Sequence, residues 1–170
     1  MRVTSLLAGL AALAFSQAAF AASVNVAPVS YSPEFQEALN DDLGAREGEY
    51  LSRAVHEAVA NALAERGATL GGGELTIEIS IIDADPNRPT MQQLANQPGL
   101  DPIRSVSIGG AELRAVLRNS SGDVVSEVTH RRYNHSLADL NGASTTWTEA
   151  NRAIRQFSRK VADAYTENAR

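Results

Sequence analysis

No cysteine occurs among the 170 residues, and that absence closes several routes at once. Disulfides are excluded as a source of stability, even in a compartment that permits them. Lipid attachment through a cysteine behind an export leader is excluded too. Basic charge is short: 15 Lys and Arg face 20 Asp and Glu, for a net charge of −5. Such a chain has no general electrostatic attraction to nucleic acid or to anionic membrane surfaces. Long apolar runs are scarce as well. The one conspicuous run, Leu6 to Ala14, is too short to span a bilayer, where roughly 20 residues are needed. Catalytic signatures are missing: there is no G-x-S-x-G elbow, no Walker loop and no dinucleotide fingerprint. Gly71-Gly72-Gly73 sits between a helical and a strand-like segment, the wrong order for phosphate binding, and reads as a flexible turn.

What is present begins with an address. Arg2, the apolar run and Ala19-Phe20-Ala21 have the layout of a secretory leader, with cleavage expected between Ala21 and Ala22. The reading is residues 1–21 as signal peptide and residues 22–170 as one domain, exported to the periplasm without a membrane span after cleavage. Loss of Arg2 makes the remaining chain one unit more acidic. That length suits a single core burying roughly 68–70% of the unfolded surface.

Periodicity then predicts the elements. Val24, Val26, Val29 and Tyr31 suggest a first strand over 24–31, pushed to an edge or bulge by Pro28. Residues 32–44 read as polar and turn-rich. Over 45–66, Leu51, Val55, Ala58, Val59, Ala62 and Leu63 recur at helical spacing, ahead of Gly67. Leu75, Ile77, Ile79 and Ile81 alternate with Thr76, Glu78 and Ser80 in the clearest strand, 74–82. A third strand is expected over 103–118, its apolar phase switching from Val106 and Ile108 to Ala111, Leu113, Ala115 and Leu117 through a bulge at Gly109-Gly110. The turn 119–123 leads to a fourth strand over about 124–133. A helix over about 147–167 carries the stripe Trp147, Ala150, Ile154, Phe157, Val161, Ala164 and Tyr165, with Thr146 and Glu149 as a capping box. The expected fold class is α+β: a two-layer β-α-β-β-β-α sandwich, with two helices on one face of a four-stranded mixed sheet.

The order and lengths of these segments are similar to the periplasmic domain of ABC-transport auxiliary lipoproteins. More sharply, NRPTMQQLANQPGLDP (87–102), SIGGAEL (107–113) and TWTEA (146–150) resemble uncharacterised secreted or lipid-anchored α+β envelope proteins of Gram-negative bacteria. The resemblance brings no catalytic residues. It implies an envelope accessory or protein-interaction module, although the lipidated cysteine of anchored relatives is missing.

Candidate sites are few. Within THRRYNH (129–135), His130, Arg132 and Asn134 share one strand face and Arg131, Tyr133 and His135 the other. The bland reading is polar residues on the wet face and end of the strand. The alternative is a metal or small-ligand binder, with His130, His135 and Asp139 as ligands. His56 borders the first helix's stripe as a half-buried surface residue. Asp83 and Asp85 read as solvated acids in a turn before Pro86. Arg152, Arg155 and Arg159 form a ridge on the solvent side of the last helix.

The connector 87–102 is longer than two neighbouring strands require. Pro89-Thr90 can start a short helix over 91–96 and Pro98-Gly99 can end it. Two readings stay open: a lid packing Met91 and Leu94 over the sheet edge, or a recognition loop. In the second, Arg88, Met91, Gln92, Leu94, Leu100 and Arg104 contact another envelope protein. No cofactor and no enzymatic activity are expected. Oligomeric state is not encoded in these patterns, beyond a default expectation of a monomer.

Overall fold

The computed structural model describes residues 23–136, 138 and 145–169. The segment expected as a leader, the expected cleavage site and Asp139 lie outside the described residues. Alternating aliphatics make Leu75–Asp85 (β4) the central strand, with Leu75, Ile77, Ile79 and Ile81 all buried. On one side β4 pairs antiparallel with β5 (Gly110–Asn119), which pairs antiparallel with β6 (Val124–Tyr133). On the other side it pairs in parallel with β1 (Ser23–Val26) and, further along, with β2 (Ser30–Tyr31). The two-residue strand β3 (Thr69–Leu70) flanks β1. Among the described residues the sheet is therefore six-stranded and mixed, in the order β3-β1-β4-β5-β6 with β2 beside β4.

Helix α2 (Ala45–Glu65) makes the crossover from β1 and β2 to the parallel β4. Together with α4 (Thr148–Asn168) it covers the aliphatic face of the sheet. Every residue of the stripe expected on α4 is buried, as are Leu51, Val55, Val59, Ala62 and Leu63 of α2. The opposite face stays wet and carries cross-strand ion pairs: Arg118–Glu78 at 3.0 Å, Arg114–Glu127 at 2.7 Å and Arg131–Glu112 at 3.1 Å. The α+β class and mixed sheet agree with the sequence reading.

The counts do not. Among the described residues, six strands and four α-helices replace the expected four and two. Pro28 splits the first strand, and β1 lies inside the sheet between β3 and β4 rather than on an edge. The stretch 32–44 is helical. Ser32 caps α1 (Pro33–Ala38) by accepting from the Phe35 amide, and donates its hydroxyl to the Ile82 carbonyl. A π-helical turn, Leu39–Leu43, follows. Phe35, Leu39 and Leu43 bury one side of this segment, a four-residue apolar spacing hidden among acids and amides. Gly48 is where α2 meets it: a Cβ there would lie 2.7 Å from Leu39 Cδ1.

The third strand begins only at Gly110, leaving Val106 and Ile108 outside the sheet. The irregularity facing it is on β4, where the register shifts between Ile81 and Asp83, so that Ala84 faces inward. No capping box forms at α4. The first-turn amide of Glu149 is instead taken, at 2.8 Å, by Oδ1 of Asn87, 62 residues away.

Asn87 is fully buried and satisfied in every direction. Its amide donates to the Thr146 carbonyl at 2.6 Å and its own carbonyl accepts from the Ser107 amide at 3.0 Å. Its Nδ2 donates to the carbonyls of Ser107 (3.2 Å) and Ile108 (3.0 Å). Gly109 is required beside it, because a Cβ there would lie 2.3 Å from Nδ2 at a φ of +62°. Both ends of the segment 86–109 are thus fastened to the start of α4. Asn87→Ala strands the Glu149 amide and two carbonyls in a buried place, and is expected to cost roughly 3 kcal/mol. Urea denaturation of the two proteins checks this figure.

Candidate functional site

The connector emerges from the knot as a built structure. Helix α3 (Met91–Asn96) starts with a reciprocal capping box: Thr90 Oγ1 accepts from the Gln93 amide, and Gln93 Oε1 accepts from the Thr90 amide. This is the short helix that the Pro-Thr start and Pro-Gly stop predict. Glutamines hold it down. Gln93 and Gln97 donate to the two carboxylate oxygens of Asp42, at 2.6 and 3.1 Å, and Gln92 donates to the Asn40 carbonyl at 3.1 Å. Further along, Asp101 Oδ1 accepts from the amides of Ile103 (2.8 Å) and Arg104 (2.7 Å). These two bonds hold its carboxyl below the ordinary carboxylate range. The Arg88 guanidinium donates to the Ile103 carbonyl and closes the loop.

With its backbone fixed by polar groups, the connector leaves apolar side chains outside. Seven large hydrophobic residues are exposed among the described residues, and four of them belong here: Met91 (77%), Ile103 (78%), Val106 (38%) and Ile108 (39%). Met91 therefore does not pack as a lid, while Leu94 is half-buried. Beside Val106 and Ile108 opens a cleft of about 370 Å³, lined also by Asp85, Arg88, Gln93, Gln97 and Leu100. A second groove, of about 340 Å³, lies by Met91, Leu94, Pro102 and Glu47.

Of the residues singled out from sequence, Arg88 and Leu100 share the larger cleft, and Arg88, Met91 and Leu94 share the smaller groove. Gln92 lies with Met91 against Gly44 and Leu43, spent on an internal hydrogen bond. Arg104 is exposed and lines neither opening. Sequence reading missed Ile103, Val106 and Ile108 as surface groups. Their alternation imitates a strand, and the bonds that hold them away from the ladder come from Asn87 to Ser107 and Ile108 and from Arg88 to Ile103.

The polar constellation on β6 divides as the pleat requires. His130 and Arg132 face α4, and Arg131 and Tyr133 face the wet side. His130 Nδ1 lies 3.1 Å from Lys160 Nζ, and partial burial with that ammonium lowers its proton affinity. A lysine in this position is a poor neighbour for a metal ion. His135 is exposed beyond the strand end, and Asp139 lies outside the described residues. Among the described residues no group of three His, Asp or Glu can hold a metal. Arg132 pairs with Glu149, whose buried carboxylate also takes Arg152. Arg152 thus leaves the solvent ridge that Arg155 and Arg159 keep; His56 is exposed.

Asp83 and Asp85 stand on β4 rather than in a turn. Asp83 accepts from the Tyr133 hydroxyl, and Arg131 stacks 4.7 Å over the Tyr133 ring. Burial, then the Asp83 bond, pushes the Tyr133 phenol far above its ordinary value. Asp85, at the mouth of the larger cleft, is raised by partial burial and by Asp83, with Arg131 opposing.

A raised carboxyl means that the fold prefers its protonated form. That contribution is complete below the ordinary value of 3.8 and is lost as pH climbs through the raised one. The ionised Asp85 is then a net cost near neutrality. Asp85→Asn is expected to raise Tm at about pH 7 and to leave it unchanged at about pH 3, as thermal melts at the two values would record.

Comparison with known proteins follows the fold. A Xanthomonas campestris protein of family DUF330 has a structure similar to this one, with a TM-score of 0.51 at 15% identity over 86% of this chain and 84% of that one. A minor lipoprotein from Acinetobacter baumannii matches at a TM-score of 0.40 and 10% identity, over 86% and 94% of the two chains. A lipoprotein candidate from Caulobacter crescentus matches at 0.38 and 16%, over 85% and 90%. No curated protein matches the chain. The model of a family described as proteins of unknown function, DUF3313, matches residues 9–161, and the chain belongs to that family.

Proposed function

We propose that this is an exported, non-enzymatic accessory protein of the cell envelope that binds another envelope protein through the connector 87–109. The observation that carries the reading is the concentration of exposed apolar side chains, Met91, Ile103, Val106 and Ile108, on a segment whose backbone is tied down by buried polar groups. Rigid display of this kind lowers the ordering cost of binding. Exposed apolar groups gathered in one place mark interaction surfaces more than scattered ones do.

Export to the periplasm is supported by the leader pattern of Arg2, Leu6 to Ala14 and Ala19-Phe20-Ala21. The acidic balance favours a protein partner over nucleic acid. The lack of a recognisable nucleophile or cofactor motif in the sequence supports a binding role rather than catalysis. A second reading, binding of a small ligand, is favoured by the volume of the cleft beside Asp85, Arg88, Val106 and Ile108.

A photo-crosslinking residue placed at Met91, Ile103 or Val106 in cells tests the reading against one at Leu70, which is 45% exposed on β3. The proposal expects one adduct of the same mass from the three connector positions and none from Leu70. Adducts equally distributed over all four, or none at the connector, would overturn it. A small molecule released from the purified protein, with binding abolished by Arg88→Ala and no adduct formed, would favour the second reading.

A further inference from the structure

We infer that the open edge of β6 pairs with β6 of a second copy, antiparallel about a two-fold axis at Thr129. Strand β6 ends the order of the sheet, and among the described residues no strand lies beyond it. Its hydrogen-bonding phase follows from two facts: Tyr133 stands opposite Gly110, and the Asn134 amide donates to the Gly109 carbonyl at 3.1 Å. From Ser126 to Asn134, beyond the register shift at Val125, even-numbered residues therefore direct their N–H and C=O groups toward β5. Glu127, Thr129, Arg131 and Tyr133 direct theirs outward, to the edge.

The same four residues place their side chains on the wet face, and there the charge runs in order: Glu127 negative, Thr129 neutral, Arg131 positive. An exposed edge is commonly protected by charge, but this order is self-complementary once the strand is reversed. A two-fold axis perpendicular to the sheet keeps wet face with wet face. With Thr129 on the axis, Thr129 pairs with its own copy and Glu127 stands opposite Arg131 of the second copy, twice over. Moving the axis to Glu127 or to Arg131 sets like charges face to face, and moving it by a single residue leaves the charges unmatched. The side chains thus select one register out of several that the backbone permits.

Both charged groups can take a second partner. Arg131 engages Glu112 through Nε alone and is 70% exposed, and Glu127 engages Arg114 through one carboxylate oxygen and is 46% exposed. The surface is remote in sequence from the connector, so the pairing stands or falls separately from the proposed function.

Light scattering and sedimentation of the purified exported protein test it. A dimer is expected, with a Kd raised roughly tenfold or more by Glu127→Arg or by Arg131→Glu alone, because symmetry applies each change twice. The double exchange, Glu127→Arg with Arg131→Glu, is expected to restore it. Should either single variant fail to fold, Thr129→Cys keeps the question answerable. The chain has no other cysteine, so mild oxidation must yield a covalent dimer at the axis and none from Ser80→Cys on the wet face. A wild-type monomer at high concentration overturns the inference, as does a dimer indifferent to the charge exchange or Thr129→Cys that stays monomeric under oxidation.

Discussion

One buried side chain, Asn87, decides how more than twenty residues of this protein are used. An asparagine can donate two hydrogens and accept at its oxygen, besides its backbone pair. Here the amide donates to Thr146, the backbone carbonyl accepts from Ser107, and the side chain bonds Ser107, Ile108 and the first-turn amide of α4. A polar group that is fully buried survives only with such satisfaction. The consequence is topological. Entry and exit of the connector are brought to one point, and that point is the start of the helix covering the sheet.

A second buried polar group stands beside it. Glu149 owns the capped amide, and its carboxylate reaches Arg132 on β6 and Arg152 on its own helix. Two cations around one buried carboxylate join the outer strand to α4, where burial of Phe157, Ile154 and Val161 already holds the layers together. The aliphatic face supplies the bulk of the stabilisation, because it removes the most apolar area from water. The two buried polar groups add direction: they fix which loop lies against which helix end. The connector can then expose Met91 and Ile103 without losing its shape, because its own backbone rests on Gln93, Gln97, Asp42 and Asp101 instead of on an apolar core.

The parts of this architecture legible in the sequence are those with a period. Alternation at Leu75 to Ile81 and helical spacing at Leu51 to Leu63 and Trp147 to Tyr165 gave strand, helices and the buried faces correctly. The Pro-Thr start of 89–96 was legible because a capping box is a local device. What escaped was carried by contacts without a period. Phe35, Leu39 and Leu43 sit among polar residues that disguise a helix. The bulge at Ile82 depends on its carbonyl meeting Ser32 across the sheet. The Thr146/Glu149 spacing pointed to the right residue in the wrong role, since Asn87 had already taken the amide that a cap would serve. Residues 87–102 read as an open choice between lid and loop, and 103–109 as strand, because their placement depends on a side chain up to 21 residues away.

The central claim is that the connector belongs to the same cooperative unit as the sheet and α4, fastened by Asn87. Native-state hydrogen exchange followed residue by residue measures this directly. The amides of Asn87, Ser107 and Glu149 are predicted to exchange only through the opening that also exposes the amides of β4 at Ile77 and Ile79. If the Ser107 and Asn87 amides exchanged at the rate of an exposed turn while β4 stayed protected, the connector would be opening independently, and the account built on Asn87 would be contradicted.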